Sequence, residues 1–187
     1  MISFRIFSTD FRISFSFFMF TALVFMTNNY HSIVMFFMAC AVHEAGHLVI
    51  MCVLRAEIKS VFISGLGIRI VQSRENLVSN YRNLAILSGG ASLNLLIFLS
   101  GIFNRNFADM NLMLCIFNLL PFRNLDGGSI ILCIGELLNA EYISEIVLKI
   151  FAVIMTVVSF LLIYIYGFSA FSISAVILYY CFSEIIS

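Results

Sequence analysis

Apolar runs separated by short polar breaks recur along the whole chain, and six of them approach the about 20 residues needed to cross a lipid bilayer. They run from about Ile13 to Met26, His31 to Leu54, Asn83 to Phe103, Met110 to Leu138, Ile143 to Ile165 and Phe168 to Ile186. Thr27-Asn28-Asn29 is so short a link that the first two segments must be antiparallel neighbours. Asn104 to Asp109 reads as a turn before the fourth segment, and that segment is itself broken. Met110 to Leu120 is followed by Pro121-Phe122-Arg123-Asn124-Leu125-Asp126-Gly127-Gly128, and the apolar pattern resumes only at Ser129. The pattern predicts a discontinuous helix. Unwound backbone at membrane depth survives only inside protein or beside a wet cavity, so the break marks a site.

Between Glu57 and Gln72 the periodicity changes. β-Branched residues flank Ser64-Gly65-Leu66-Gly67, which predicts a hairpin rather than a span, because sixteen residues are too few for two crossings. Such a hairpin would lie at the membrane surface or dip into the domain, and its edge strand could pair with an extended substrate segment. A polar link from Ser73 to Arg82 follows, and the third segment then carries Ser88-Gly89-Gly90-Ala91-Ser92-Leu93-Asn94. Its small residues admit another helix closely, with Asn94 as a polar group in mid-membrane. The last two segments have no ionisable residue in their middles and read as supporting or lipid-facing helices.

Composition agrees with this pattern. With 62% hydrophobic and 11% charged residues, the chain has too little polar surface to fold as a soluble globule. The expected architecture is an all-α polytopic membrane protein, a single domain over residues 1–187, with about six transmembrane helices and a small membrane-associated β-hairpin between helices two and three. Net charge is zero and no basic run occurs, which argues against a nucleic-acid surface. Cys40, Cys52, Cys115, Cys133 and Cys181 form no C-x-x-C pair and read as small apolar residues rather than a disulfide framework. No small-residue cleavage site follows Met26, so the first segment is expected to be a retained helix. Basic residues fall on the side of the N-terminus and of the second-to-third connection, which predicts that both termini are cytoplasmic.

The chemistry is concentrated in the second segment, at His43-Glu44-Ala45-Gly46-His47. Residues four apart share a helix face, so His43 and His47 can offer two imidazole nitrogens to one metal while Glu44 sits beside them as general base. This points to zinc-assisted hydrolysis. The plain alternative is a pair of buried histidines bonded to neighbours, but ionisable groups are costly inside a membrane and the chain has only three histidines. His31, at the start of the same segment, reads as interfacial.

Depth adds a further sign. His43 and Asn94 each stand eleven residues from the cytoplasmic ends of their segments and Asp126 stands twelve from its own, so all three lie roughly 16 to 18 Å deep at about 1.5 Å per residue. That shared layer makes Asp126 the candidate third zinc ligand and Asn94 a candidate donor at the site.

With these residues in place the chain resembles the site-2 protease family of intramembrane zinc metalloproteases. The resemblance rests on His43-Glu44-Ala45-Gly46-His47, on Asn118-Leu119-Leu120-Pro121 with Leu125-Asp126-Gly127-Gly128, and on Gly90-Ala91-Ser92-Leu93-Asn94, about half the chain. It implies Zn2+ held by His43, His47 and Asp126, Glu44 as the catalytic base, and Asn94 at the substrate or oxyanion. Ala91 stands where the family often has Pro, and Ser129 where Arg is frequent. Six helices without an inserted periplasmic domain look most like the bacterial branch that includes stage IV sporulation protein FB, whose C-terminal domain is not expected here.

The function so implied is hydrolysis of a peptide bond in or near a transmembrane segment of a substrate protein, in a bacterial cytoplasmic membrane. The expected partners are that membrane-embedded or membrane-adjacent substrate, the lipid bilayer and a regulatory membrane protein. Two other classes fit some of the same residues: an intramembrane metal or proton carrier, and a catalytically silent membrane binding protein. Glu44 discriminates among them, since a carrier needs ligands but no extra acid beside the first histidine.

Overall fold

The structure, a computed structural model, describes residues 2–6, 9–14, 30–56, 58–64, 67–72, 80–167 and 171–186. Its order is β1 (Ile2–Ile6), β2 (Thr9–Ile13), α1 (Tyr30–Val53), β3 (Ile58–Ser64), β4 (Gly67–Gln72), α2 (Asn80–Ser100), α3 (Arg105–Asn118), α4 (Asp126–Leu137), α5 (Glu141–Tyr166) and α6 (Phe171–Ile186). Three helices, α1, α2 and α5, are long and apolar enough to cross a membrane, which makes this a membrane protein. The first apolar segment, expected as a helix from Ile13 to Met26, lies outside the described residues except at its start. The chain divides into two compact units, Met1–Cys115 and Ile116–Ser187.

In the first unit, α1 is apolar around its circumference, and two faces take different environments. Ala39, His43, Gly46, His47 and Met51 recur at helical spacing and are buried, whereas Val34, Met38, Leu48, Val49 and Val53 are exposed, as expected of a surface covered by lipid. The helix ends in a Schellman motif: Ala56 N–H donates to Met51 O (2.9 Å), Arg55 N–H donates to Cys52 O (3.1 Å), and Arg55 takes a positive φ of 51°. Arg82 of α2 donates to the Leu54 carbonyl (3.3 Å), which satisfies another acceptor at that end.

The buried face of α1 meets α2 through glycine. A side chain at Gly46 would collide with the backbone of Gly89, and one at Gly89 would meet the Gly46 carbonyl, so the two helices approach backbone to backbone. The small-residue stretch around Gly89 therefore does what its composition predicts.

The strands extend the sequence expectation. β3 and β4 pair antiparallel over Ile58 to Gln72, with a register shift between Ile58 and Ser60. They belong to a four-stranded sheet of order β1-β2-β3-β4, in which β2 and β3 run parallel. The hydrophobic pattern of residues 2–13 predicts no strand, because five-residue strands beside a long apolar run carry little periodicity of their own. β3 is paired on both sides, so among the described residues β4 is the strand of the hairpin with an unpaired edge.

Two boundaries move as well. Arg105 to Asp109, expected as a turn, form the opening of α3: Asn104 accepts the Asn106 N–H on its side chain (2.9 Å), and Arg105 pairs with Asp109 one turn on (3.0 Å). Polar residues here are the helix start rather than a break. The other shift brings Asp126 out of the predicted loop and makes it the first residue of α4.

In the second unit, α5 and α6 pack together, and Phe122, Leu125, Ala152, Tyr180 and Cys181 form its buried apolar cluster. No disulfide joins the five cysteines; Cys115, Cys133 and Cys181 are buried as expected, whereas Cys52 is exposed on the outer face of α1.

Candidate metal centre

His43 and His47 lie one turn apart on the buried face of α1, and their Nε2 atoms are 3.2 Å apart. The second histidine is oriented by a backbone contact: its Nδ1 lies 2.7 Å from the carbonyl oxygen of Ile86 in α2. A carbonyl can only accept, so Nδ1 carries the proton and Nε2 keeps its lone pair. Metal-binding histidines are commonly held by such a partner on the other ring nitrogen. The spacing also fits, because two nitrogens at about 2.0 to 2.1 Å from a tetrahedral zinc stand about 3.3 to 3.4 Å apart.

Room for this pair comes from Gly90. A side-chain carbon there would fall 2.5 Å from His47 Nε2 and 2.7 Å from His43 Nε2, inside the space between the imidazoles and α2. The sequence placed Gly90 among residues that let helices approach; the structure gives it the narrower task of accommodating the two rings.

Asn94, one turn further along α2, is fully buried, and its amide lies 3.5 Å from His43 Nδ1. This contact sets Asn94 beside His43. Its Oδ1 has no hydrogen-bond partner among the described residues. A fully buried unpaired amide oxygen is unusual and marks a place where a partner is expected. Glu44 is half-buried on the same helix, and His31 is exposed at the start of α1, as an interfacial residue would be.

Asp126 is positioned within the second unit. Asn118 ends α3, and the chain from Leu119 to Leu125 is tightened by Phe122 N–H to Leu120 O and Leu125 N–H to Phe122 O bonds, each 2.8 Å. The loop folds back over the first turn of α4, so that side chains at Gly127 and Gly128 would strike the carbonyls of Leu119 and Phe122. The two glycines of Leu125-Asp126-Gly127-Gly128 are thus a packing requirement, and Asp126 emerges at the helix N-terminus, where a carboxylate is favoured by the dipole.

The loop is also held by residues that the apolar pattern of the last helices concealed. Arg123 N–H donates to Glu184 Oε2 (2.7 Å), its guanidinium reaches Glu145 Oε1 (3.3 Å), and Asn124 Nδ2 donates to Ser183 Oγ (3.1 Å). Glu184 is 2% exposed. An acid so placed in an apolar helix was the available signal, since buried carboxylates are retained where they have a charged or hydrogen-bonding partner.

A mostly helical membrane protein carrying an H-E-x-x-H pair on a buried helix face is the class these features define. Among solved structures the chain is similar to the site-2 protease from Methanocaldococcus jannaschii, with a TM-score of 0.64 at 20% identity over 98% of this chain and 94% of that one. The likeness is one of fold. No protein-family profile and no curated protein sequence matches the chain.

Proposed function

We propose that the protein is an intramembrane zinc metalloprotease that hydrolyses a peptide bond in or near a transmembrane segment of another protein. The observation that carries this reading is the His43 and His47 pair, with Nε2 atoms at tetrahedral-ligand spacing and the His47 tautomer fixed by Ile86. Asp126, the first residue of α4, is the third ligand in this reading, as the resemblance of Leu125-Asp126-Gly127-Gly128 implies. Two imidazoles and one carboxylate suit zinc with one position left for water. Zinc bound there would supply Lewis acidity and lower the pKa of that water.

The chain's own residues do the rest. Glu44, beside the ligands but not needed as one, takes the proton of the attacking water and returns it to the leaving amine. With Nε2 committed to the metal side, His43 carries its proton on Nδ1. Turning the Asn94 amide end for end makes Oδ1 the acceptor of that proton and leaves Nδ2 to donate to a substrate carbonyl.

A helical peptide bond is shielded, so the substrate must unwind locally, and its freed backbone groups need partners in hydrocarbon. The free edge of β4 supplies them in this account. Six passages, cytoplasmic termini and a sheet at the membrane surface are part of this proposal. The test is cleavage of a transmembrane substrate by the purified protein in liposomes: cutting should stop on zinc chelation and return with added zinc. Cutting that persists without metal would end this reading.

A further inference from the structure

Glu184 stands in the last turns of an apolar helix, 61 positions from the residue it holds, and no step of peptide hydrolysis uses it. We infer that Glu184 is a positioning residue for Asp126, acting through the backbone of the Leu119 to Leu125 loop. The inference rests on Asp126 being a metal ligand.

The loop just before Asp126 is fixed by contacts with α6 and its apolar cluster. Phe122 and Leu125 are 1% and 4% exposed and pack with Tyr180 and Cys181. Arg123, between them, gives its backbone N–H to Glu184 Oε2 at 2.7 Å and places its guanidinium Nε 3.5 Å from Oε1. Tyr180, Cys181 and Glu184 follow at helical spacing, so one face of α6 presents two apolar contacts and one charged acceptor to this loop.

Downstream, the Ser129 N–H donates to Leu125 O (3.1 Å) and the Ser129 hydroxyl to Arg123 O (3.3 Å). Arg123 is therefore held at its N–H by Glu184 and at its carbonyl by α4. Asp126 lies within this bracket, three residues beyond Arg123. A carboxylate ligand whose backbone is fixed on both sides has few orientations to lose on binding metal, and loss of such supporting partners typically weakens metal affinity about 10- to 100-fold.

The pair is not simply an ion bridge for stability. Arg123 has Glu145 of α5 as a second anionic partner at 3.3 Å, so its charge is balanced without Glu184. What Glu184 alone supplies is an acceptor for the backbone N–H, and that acceptor sets where the loop runs.

The experiment measures zinc affinity of the full-length protein in detergent by competition with a chromophoric chelator, together with the absorption spectrum of the Co2+ form and the thermal midpoint of the metal-free form. Glu184→Gln keeps an oxygen within reach of the Arg123 N–H and should bind zinc within about threefold of wild type. Glu184→Asp keeps the charge but shortens the reach, and should lose about 10- to 100-fold in affinity and alter the Co2+ bands. Glu184→Ala should lose as much, and if it does not fold the other two variants decide. Equal affinity in Glu184→Gln and Glu184→Asp, or loss in Glu184→Gln alone, would overturn the inference. Asp126→Asn separates the levels: if it too binds zinc as wild type does, the third-ligand assignment fails; if it alone loses zinc, only the role of Glu184 fails.

Discussion

The two regions that carry the site residues are built on opposite principles. α1 and α2 are brought together by the absence of side chains, at Gly46, Gly89 and Gly90, so that imidazoles and backbone carbonyls meet at hydrogen-bonding distance. The Asp126 region is held by side chains that are present and charged, with Arg123 between Glu145 and Glu184. Backbone contact tolerates no added atoms, whereas a clamp tolerates changes that keep an acceptor in reach. The first region should fail abruptly on small substitutions and the second by degrees.

Gly90→Ala is the sharpest way to break the contrast. One added carbon falls between α2 and both imidazoles, so zinc affinity should drop at least about 100-fold and cleavage with it, measured by chelator competition and substrate processing. Near-normal zinc binding would mean that the helices part more easily than their backbone contact implies.

Asn94→Ala should lower kcat by about 10²-fold with smaller change in KM, as expected for a donor used mainly in the transition state. Equal effects on both would reduce Asn94 to a packing residue. Gly46→Ala adds bulk at the backbone contact away from the imidazole nitrogens, and should lower stability by about 1 to 3 kcal/mol, read as a fall in thermal midpoint of the zinc-bound protein. The smallest effect belongs to Asp109→Asn, which removes an exposed pair with Arg105 and should cost no more than about 0.5 kcal/mol. A larger loss there would show that the opening turn of α3 matters more than its exposure suggests.

The first region was largely legible in the sequence. Two histidines four apart, a glycine pair and an asparagine one turn later are local patterns, and helix geometry converts such spacing directly into a shared face. The depth estimate for Asn94 rests on the same regularity: a regular rise makes residue counts into distances. The break at Pro121 was legible too, although Asp126 proved to open α4 because the loop closes in seven residues over Gly127 and Gly128. What could not be read was the partner of Arg123. Nothing in the order of residues says that a glutamate 61 positions on accepts its N–H, since that pairing depends on how α6 packs against the loop. Strands β1 and β2 escaped for a related reason, being short and defined by pairing with each other and with β3 rather than by their own pattern.

The central claim is that Glu44 acts on a water at a metal held by other residues. Glu44→Gln tests it in a single experiment on purified protein in liposomes, with zinc content and substrate cleavage measured on the same sample. Amide for carboxylate keeps the shape and leaves His43, His47 and Asp126 in place, so zinc should remain stoichiometric while cleavage falls about 10²- to 10⁴-fold. Cleavage near the wild-type rate with zinc retained would contradict the account and return the site to a metal carrier or a silent binding protein.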